Sequence, residues 1–513
     1  MAAFLYALLG LAVGIEVLKL RAIGVQTSSV SDVFSYLRAA REIRAGRRLR
    51  ECLRFYFPGH PATLNLPPLQ ILALVPFAGR SLWVAWLLPV LQHLATACAV
   101  FGFGWLATGS ALVGGVAAGW YLLTPAASLN SASLTPRPLG VLLSGVAFLC
   151  AWFHWRTGSA PAFAGMLVAC AGALLAHRMT AQLLILVFPA WGIVAMAVAG
   201  WRHAPLLTVM PAAVALAWLL SGGAYGPILA DHWRRVRWHV RHGSQNAGRK
   251  APPPPRRVIA GNPYLLLVAW LLGRGALDGL WRDLMPLLVF AAGAVLLSLA
   301  WIWGNGHRHV MFSAVPVAMV IAALAPRFGA AEWILAGLCS AIAVGVVTRS
   351  VRRVLTQQTG VKLISDGARD CMDYLSRQPP GLVLVVPNVA YPPLAYFTDH
   401  SILAAGHGHE ALTFNRQRVR PKLASQKGLR HLLNTYPIDW MLVLREDHAP
   451  DEDSASWPWF KEKHVPAHLV RRVFGAGSCG VYRPVVPRDQ TAETRRALEC
   501  VRVAGSSEGI AWR

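Results

Sequence analysis

The chain is 513 residues long, 55% hydrophobic and only 14% charged, with a mean hydropathy of +0.44. Soluble domains carry about 25% charged residues, so this composition excludes an ordinary aqueous globule and makes lipid the solvent for most of the chain. The net charge of +25 lies mainly in loops between apolar runs, which reads as contact with lipid headgroups or anionic substrates and excludes nucleic acid as the partner.

Residues 2–20 are apolar and lack a basic start and a small-residue cleavage site, the pattern of a retained signal-anchor helix. A long loop, 21–65, follows. Within it, 31–46 (SDVFSYLRAAREIRAG) places Val33, Leu37, Ala40 and Ile43 on one face, with Arg38, Arg41 and Arg44 on or near the other. That spacing predicts an amphipathic helix lying along the membrane surface. The stretch 66–79 is short and bracketed by proline, which predicts a re-entrant or interfacial helix.

Apolar runs long enough to span lie at 82–107, 137–155, 180–200, 204–221, 284–303, 308–325 and 331–348. Shorter ones lie at 111–124, 160–176 and 263–274; with 2–20 they predict about eleven spans. Gly102-Phe103-Gly104 falls inside a span, where glycines serve close helix packing and not phosphate binding. A second long loop, 222–262, is basic and proline-rich and is expected to be poorly ordered or ordered by substrate.

Acidic residues mark a boundary. Residues 1–348 hold eight of them, Glu16, Asp32, Glu42, Glu51, Asp231, Asp278, Asp283 and Glu332, and the remaining 165 residues hold sixteen. Beyond the boundary the pattern alternates: a helix near 362–377, a strand at 382–386, a helix near 423–435, and strands at 438–444, 468–474 and 479–483. The predicted fold class is therefore mainly α: a polytopic transmembrane helical bundle over 1–348, a C-terminal soluble α/β domain over 349–484, and a frayed tail over 485–513.

The eight cysteines include no C-x-x-C spacing and no accompanying zinc-type His pair. Cys98, Cys150, Cys170 and Cys339 lie in apolar runs as small hydrophobes, while Cys371 and Cys479 would be able to pair if the soluble domain is extracytoplasmic. His407, His409 and Glu410 make up half of a metal-site pattern without further ligands at useful spacing. No cofactor is assigned, and a divalent metal finds no support in the sequence.

The order of features carries a resemblance. Ser31-Asp32-Val33-Phe34-Ser35-Tyr36 opens the amphipathic helix; His60-Pro61 and Leu66-Pro67-Pro68-Leu69 follow. Next come a Pro-containing loop from Thr124-Pro125 to Pro138, then His177-Arg178-Met179-Thr180 at a span end, and His307-Arg308-His309 at a late span entry. This order resembles the GT-C superfamily of membrane glycosyltransferases, such as the protein O-mannosyltransferases and the lipid A aminoarabinose transferases. The resemblance implies a sugar donor on a polyprenyl phosphate and an outside location for the long loops and the α/β domain. It also implies a catalytic or metal-binding carboxylate at the position matched by Asp32. Many family members carry a second acid in the next outer loop, whereas 125–138 here contains none. That departure argues against a two-carboxylate or metal-dependent mechanism. The arginine distribution taken alone predicts the inverse orientation.

Transfer from such a donor needs a base for the acceptor hydroxyl, cationic donors for the leaving phosphate and an apolar groove for the prenyl chain. Asp32 has no basic residue within five positions and is assigned as the catalytic base, the bland alternative being a helix-start residue favoured by the macrodipole. Glu42 and Glu51, among arginines, read as solvated ion-pair members, and Asp231 as a helix cap. Substrate binding is assigned to His60, His177, Arg178, Arg308, Arg234 and Arg235, with headgroup anchoring as the alternative for span-end arginines. His307 and His309 read as interfacial. The function expected is transfer of a sugar from a polyprenyl-phosphate donor to a cell-envelope acceptor, in a multi-pass protein of the plasma or inner membrane. A polysaccharide ligase or polymerase is the first alternative and a non-catalytic transport or assembly protein the second, although the internal repeats of a transporter are not evident.

Overall fold

In the computed structural model of the chain, residues 10–17, 32–47, 68–78, 85, 87–131, 134–242, 255–299, 306–357, 364–386, 392–403, 419–444 and 465–485 are described. The first helix, α1 (residues 10–17), precedes α2 (Asp32–Arg44) and a short α3 (Pro68–Leu74) that ends in a 3-10 turn. α4 (Leu87–Thr108) and α5 (Ala111–Leu123) pack as a pair, and the glycines explain how closely: a Cβ on Gly104 would lie 3.0 Å from Gly114 Cα. Gly102 itself faces open space. After Thr124 the chain bends by 68° into α6 (Pro125–Ser131), because Pro125 cannot continue the hydrogen-bond ladder of α5.

α7 (Arg137–Thr157) and α8 (Ala160–Ala176) pair across a tight turn. Gly158 adopts φ +68° there, and Ser159 caps α8 by accepting from the Ala162 N–H. α9 (Arg178–Ala199) follows, then a 3-10 stretch and α10 (Val209–Leu220), α11 (Tyr225–His242), α12 (Pro255–Gly261), α13 (Tyr264–Gly273) and α14 (Trp281–Leu299). A 3-10 segment, Gly306–Ser313, leads into α15 (Ala314–Leu324), and α16 (Ala330–Gln357) closes the bundle.

Among the described residues, seven helical runs are long and apolar enough to cross a membrane, and an eighth appears if the bent α5–α6 pair counts as one span. The chain is an integral membrane protein. The shorter stretches expected at 160–176 and 263–274 are the apolar helices α8 and α13, too short for that test; of the expected span 2–20, only 10–17 is described. The loop 222–262, expected to be poorly ordered or ordered by substrate, contains α11 and α12, with 243–254 outside the described residues. Arginine density hid the helical period: Tyr225, Ile228, Leu229, Asp231 and His232 recur at three- and four-residue spacing on the inward face. Asp231 is a buried mid-helix residue and not a cap.

The bundle has two ends with distinct contacts. At one, the Trp155 indole donates to Arg282 O at 2.8 Å and Arg156 donates to Ala107 O at 3.1 Å. At the other, Arg137, His177, Arg178 and Arg308 open their helices, and α16 passes α6 and α12 on its way to the soluble domain. The composition boundary at 348 falls inside α16.

The soluble domain comprises α17 (Asp366–Ser376), β1 (Leu382–Val386), α18 (Pro392–Phe397), β2 (Ser401–Ile402), α19 (Gln426–Thr435), β3 (Ile438–Val443), β4 (Val470–Ala476) and β5 (Cys479–Pro484). The sheet order is β2-β1-β3-β5-β4, with β1 parallel to both neighbours and β5 antiparallel to β3 and β4. Every residue of β1 is buried, as a central strand covered on both faces requires. Leu382, Leu384 and Val386 face a core with α19, and Val383 and Val385 face a second core that includes α17 and also α2 and α3. Cys371 and Cys479 are separate buried thiols and not a disulfide.

That shared core corrects the environment expected for α2. Val33, Phe34, Leu37 and Ala40 are buried against protein, not laid on lipid. Phe34 rests against Tyr396 and Phe397, with ring centroids at 5.6 and 5.9 Å. On the polar side Arg38, itself 9% exposed, donates to Glu42 Oε1 at 3.0 Å, Asp399 Oδ1 at 2.8 Å and Thr398 O at 3.2 Å. Arg41 donates to Tyr396 O and covers its ring. Glu42, expected to be a solvated ion-pair member, is buried. The soluble domain therefore grips the helix whose first residue is Asp32.

Candidate functional site

The basic residues singled out at span ends converge at the bundle end nearer the soluble domain. Arg137 opens α7 beside Pro138, and its Nη1 donates to Asn130 Oδ1 of α6 at 3.0 Å. His177 takes an extended backbone between α8 and α9, with its carbonyl accepting from the Thr180 and Ala181 N–H groups. Arg178, exposed, is the first residue of α9. From the 3-10 segment come the half-buried Arg308, within electrostatic reach of Arg178, and the buried His309, whose Nε2 lies 3.2 Å from Gln182 Oε1. α11 contributes His232.

The packing that assembles this cluster is tight. A Cβ on Gly140 would lie 2.6 Å from Thr180 Oγ1 and 3.4 Å from His177 Cβ, so only glycine lets α7 reach the start of α9. Gly261 plays the same part for α12, where a Cβ would meet Val310 at 2.7 Å. Asn262 next to it donates to Ser313 Oγ at 2.8 Å.

The electrostatics are one-sided. Burial, and then Arg137, Arg178, His309 and His232, hold His177 well below the usual histidine range. Burial and then Arg178 lower His232 to about 4. Among the described residues, the groups that act on the two rings are basic. His177 Nδ1 and Thr180 Oγ1 are shielded from solvent and have no hydrogen-bond partner among the described residues. Cations and orphaned polar atoms gathered in a partly dry site are costly when empty and favourable around an anion.

His177, Arg178 and Arg308 are thus brought together. Arg234 is exposed on α11 two residues beyond His232, while the side chain of Arg235 and the whole of His60 lie outside the described residues. The side chain of Asp32 is also outside them; its backbone opens α2. His407, His409, Glu410 and Glu51 lie outside as well. Sequence reading missed Arg137 and His232. Arg137 had a signal, standing between two prolines at a span entry with no acid nearby. Among the described residues no group of three or more potential metal ligands is present.

Two solved structures share this architecture. The crystal structure of ArnT from Cupriavidus metallidurans in the apo state aligns over 94% of this chain and 98% of its own, with TM-score 0.58 and 14% identity. ArnT from the same organism bound to undecaprenyl phosphate aligns over 96% and 99%, with TM-score 0.60 and 12% identity. The chain has the GT-C fold. No family model and no curated protein matches the sequence.

Proposed function

We propose that the chain is a membrane glycosyltransferase that moves a sugar from a polyprenyl-phosphate donor to a cell-envelope acceptor, on the extracytoplasmic side of the plasma or inner membrane. The observation that carries the reading is the cluster of Arg137, His177, Arg178, His232 and Arg308 at one bundle end, in a fold whose solved example holds undecaprenyl phosphate.

In this reading Asp32 takes the proton of the acceptor hydroxyl, whose oxygen attacks the anomeric carbon. The bond from that carbon to the phosphate oxygen breaks, and the second negative charge appearing on the phosphate falls among the arginines. Arginine serves here because its planar donors match phosphate oxygens and stay charged at any working pH. The cluster acts on charge that grows toward the transition state, which is the condition for raising rate and not merely affinity.

The test is release of polyprenyl phosphate by the purified chain in bilayer discs supplied with a polyprenyl-phosphate sugar and an acceptor. Asp32→Asn keeps the size and the capping ability and removes the basicity, so transfer should fall by about a hundredfold or more with membrane insertion unchanged. Near-native transfer by that variant would end the carboxylate mechanism and favour a ligase that works through the arginines and histidines alone.

A further inference from the structure

We infer that His177 lets the site tell the phosphomonoester it releases from the phosphodiester it consumes, by taking up a proton when the monoester binds. The inference rests on the donor reading above. The two ligands differ in a way that histidine can read. A sugar-phosphate diester carries one negative charge and no oxygen that titrates near neutrality. The polyprenyl phosphate left after transfer is a monoester, whose second ionisation lies at a pKa of about 6, so it binds largely as a dianion at neutral pH.

The surroundings of His177 suit that discrimination. Arg137 of α7, Arg178 of α9, His232 of α11 and His309 of the 3-10 segment all act on its ring, and Arg308 is within electrostatic reach of Arg178. α11 also carries the buried Asp231 and the exposed Arg234. In the empty site those cations and burial keep the imidazole neutral. Its Nδ1 is enclosed and hydrogen-bonds to nothing among the described residues, beside the equally enclosed Thr180 Oγ1. His309 is less suited, because its Nε2 already meets Gln182.

A single negative charge offsets the arginine field only in part. A dianion offsets more of it and offers an oxygen to a protonated Nδ1, forming a charge-assisted hydrogen bond. Binding is then written as site plus dianion plus one proton giving the complex with histidinium; no covalent bond changes. Product is held as an ion pair with His177 and leaves more readily as pH rises, whereas donor binding ignores pH.

The experiment uses the full-length chain in bilayer discs, with a short polyprenyl phosphate and its methyl diester as probes. Affinity for the monoester should tighten roughly three- to tenfold per pH unit on going from 8.5 to 7, as uptake of up to one proton requires, and affinity for the diester should stay within about twofold. Calorimetry in two buffers of different ionisation enthalpy should count about one proton taken up per monoester and none per diester, a readout that needs no variant. In His177→Gln the monoester slope should vanish. A slope that survives in His177→Gln, or is lost only in His232→Gln, overturns the assignment, as does a proton count of zero. Failure of both probes to bind at any pH overturns the donor reading itself and this inference with it.

Discussion

Replacing Arg38 by leucine should unlatch α2 from the soluble domain, and the size of the effect can be worked from its contacts with Glu42 and Asp399. Glu42 is 5% exposed and would keep the longer contact to Arg47, at 3.9 Å. A buried carboxylate stripped of its main partner costs about 3–5 kcal/mol. The Asp399 arm is different: that carboxylate is 52% exposed, so the pair contributes only about 0–1 kcal/mol. The sum should fall mainly on local opening of α2, where 3 kcal/mol corresponds to amide exchange faster by about two orders of magnitude. Hydrogen exchange over 33–44 in the full chain, followed by mass spectrometry, reads this directly. Arg38→Leu should accelerate exchange by about a hundredfold, Asp399→Asn by at most about fivefold, and Arg38→Leu with Glu42→Leu should recover most of the loss. Equal effects of Arg38→Leu and Asp399→Asn, or no recovery in the double variant, would refute the claim that the buried Glu42 sets the cost.

Two further outcomes follow from other parts of the chain. A reporter active only in an oxidising extracytoplasmic space, fused after Arg488, should be active; activity of a cytoplasm-only reporter there would invert the proposed topology. In the soluble domain, His400 is buried, donates from Nε2 to Leu375 O and accepts from the Gly381 N–H, and burial holds its pKa below the ordinary value. A depressed folded pKa gives stability that is complete above the unfolded value of about 6.5 and is lost as pH falls toward the folded one. Acid unfolding of this domain should therefore begin as pH drops below about 6.5, and His400→Gln should blunt that onset; an unchanged acid profile in the variant would rule His400 out as its cause.

Much of this architecture could be read in the amino-acid order, and the failures share a cause. β1 was legible to the residue because LVLVV is a short apolar run closed by Pro380-Gly381 and Pro387. The spans announced themselves through composition, and α3 through its brackets of proline. α2 was legible as a helix but not in its surroundings, since Arg38 finds Asp399 across 361 positions of sequence. An amphipathic pattern reports that one face is apolar; it does not report whether lipid or protein covers it. Glu42 was misjudged for the same reason. α11 was hidden because arginines crowd its sequence, while the apolar Tyr225, Ile228 and Leu229 that turn inward are few. At the site, His177, Arg178 and Arg308 stood out as ionisable residues at span ends, while Arg137 and His232 required the bend after α5 and the inward face of α11 to become visible.

The central claim is that the basic cluster receives the phosphate of a polyprenyl carrier, and equilibrium binding of polyprenyl phosphate to two arginine variants tests it most directly. Arg178 stands in the cluster, whereas Arg156 lies at the opposite bundle end, bound to Ala107 O. Both are arginines near helix ends, so headgroup anchoring treats them alike. Arg178→Ala should weaken binding by about 1.5–3 kcal/mol, roughly ten- to a hundredfold, with Arg156→Ala within about twofold of the unaltered chain. Equal and small losses from both variants would return Arg178 to the membrane surface and contradict the site.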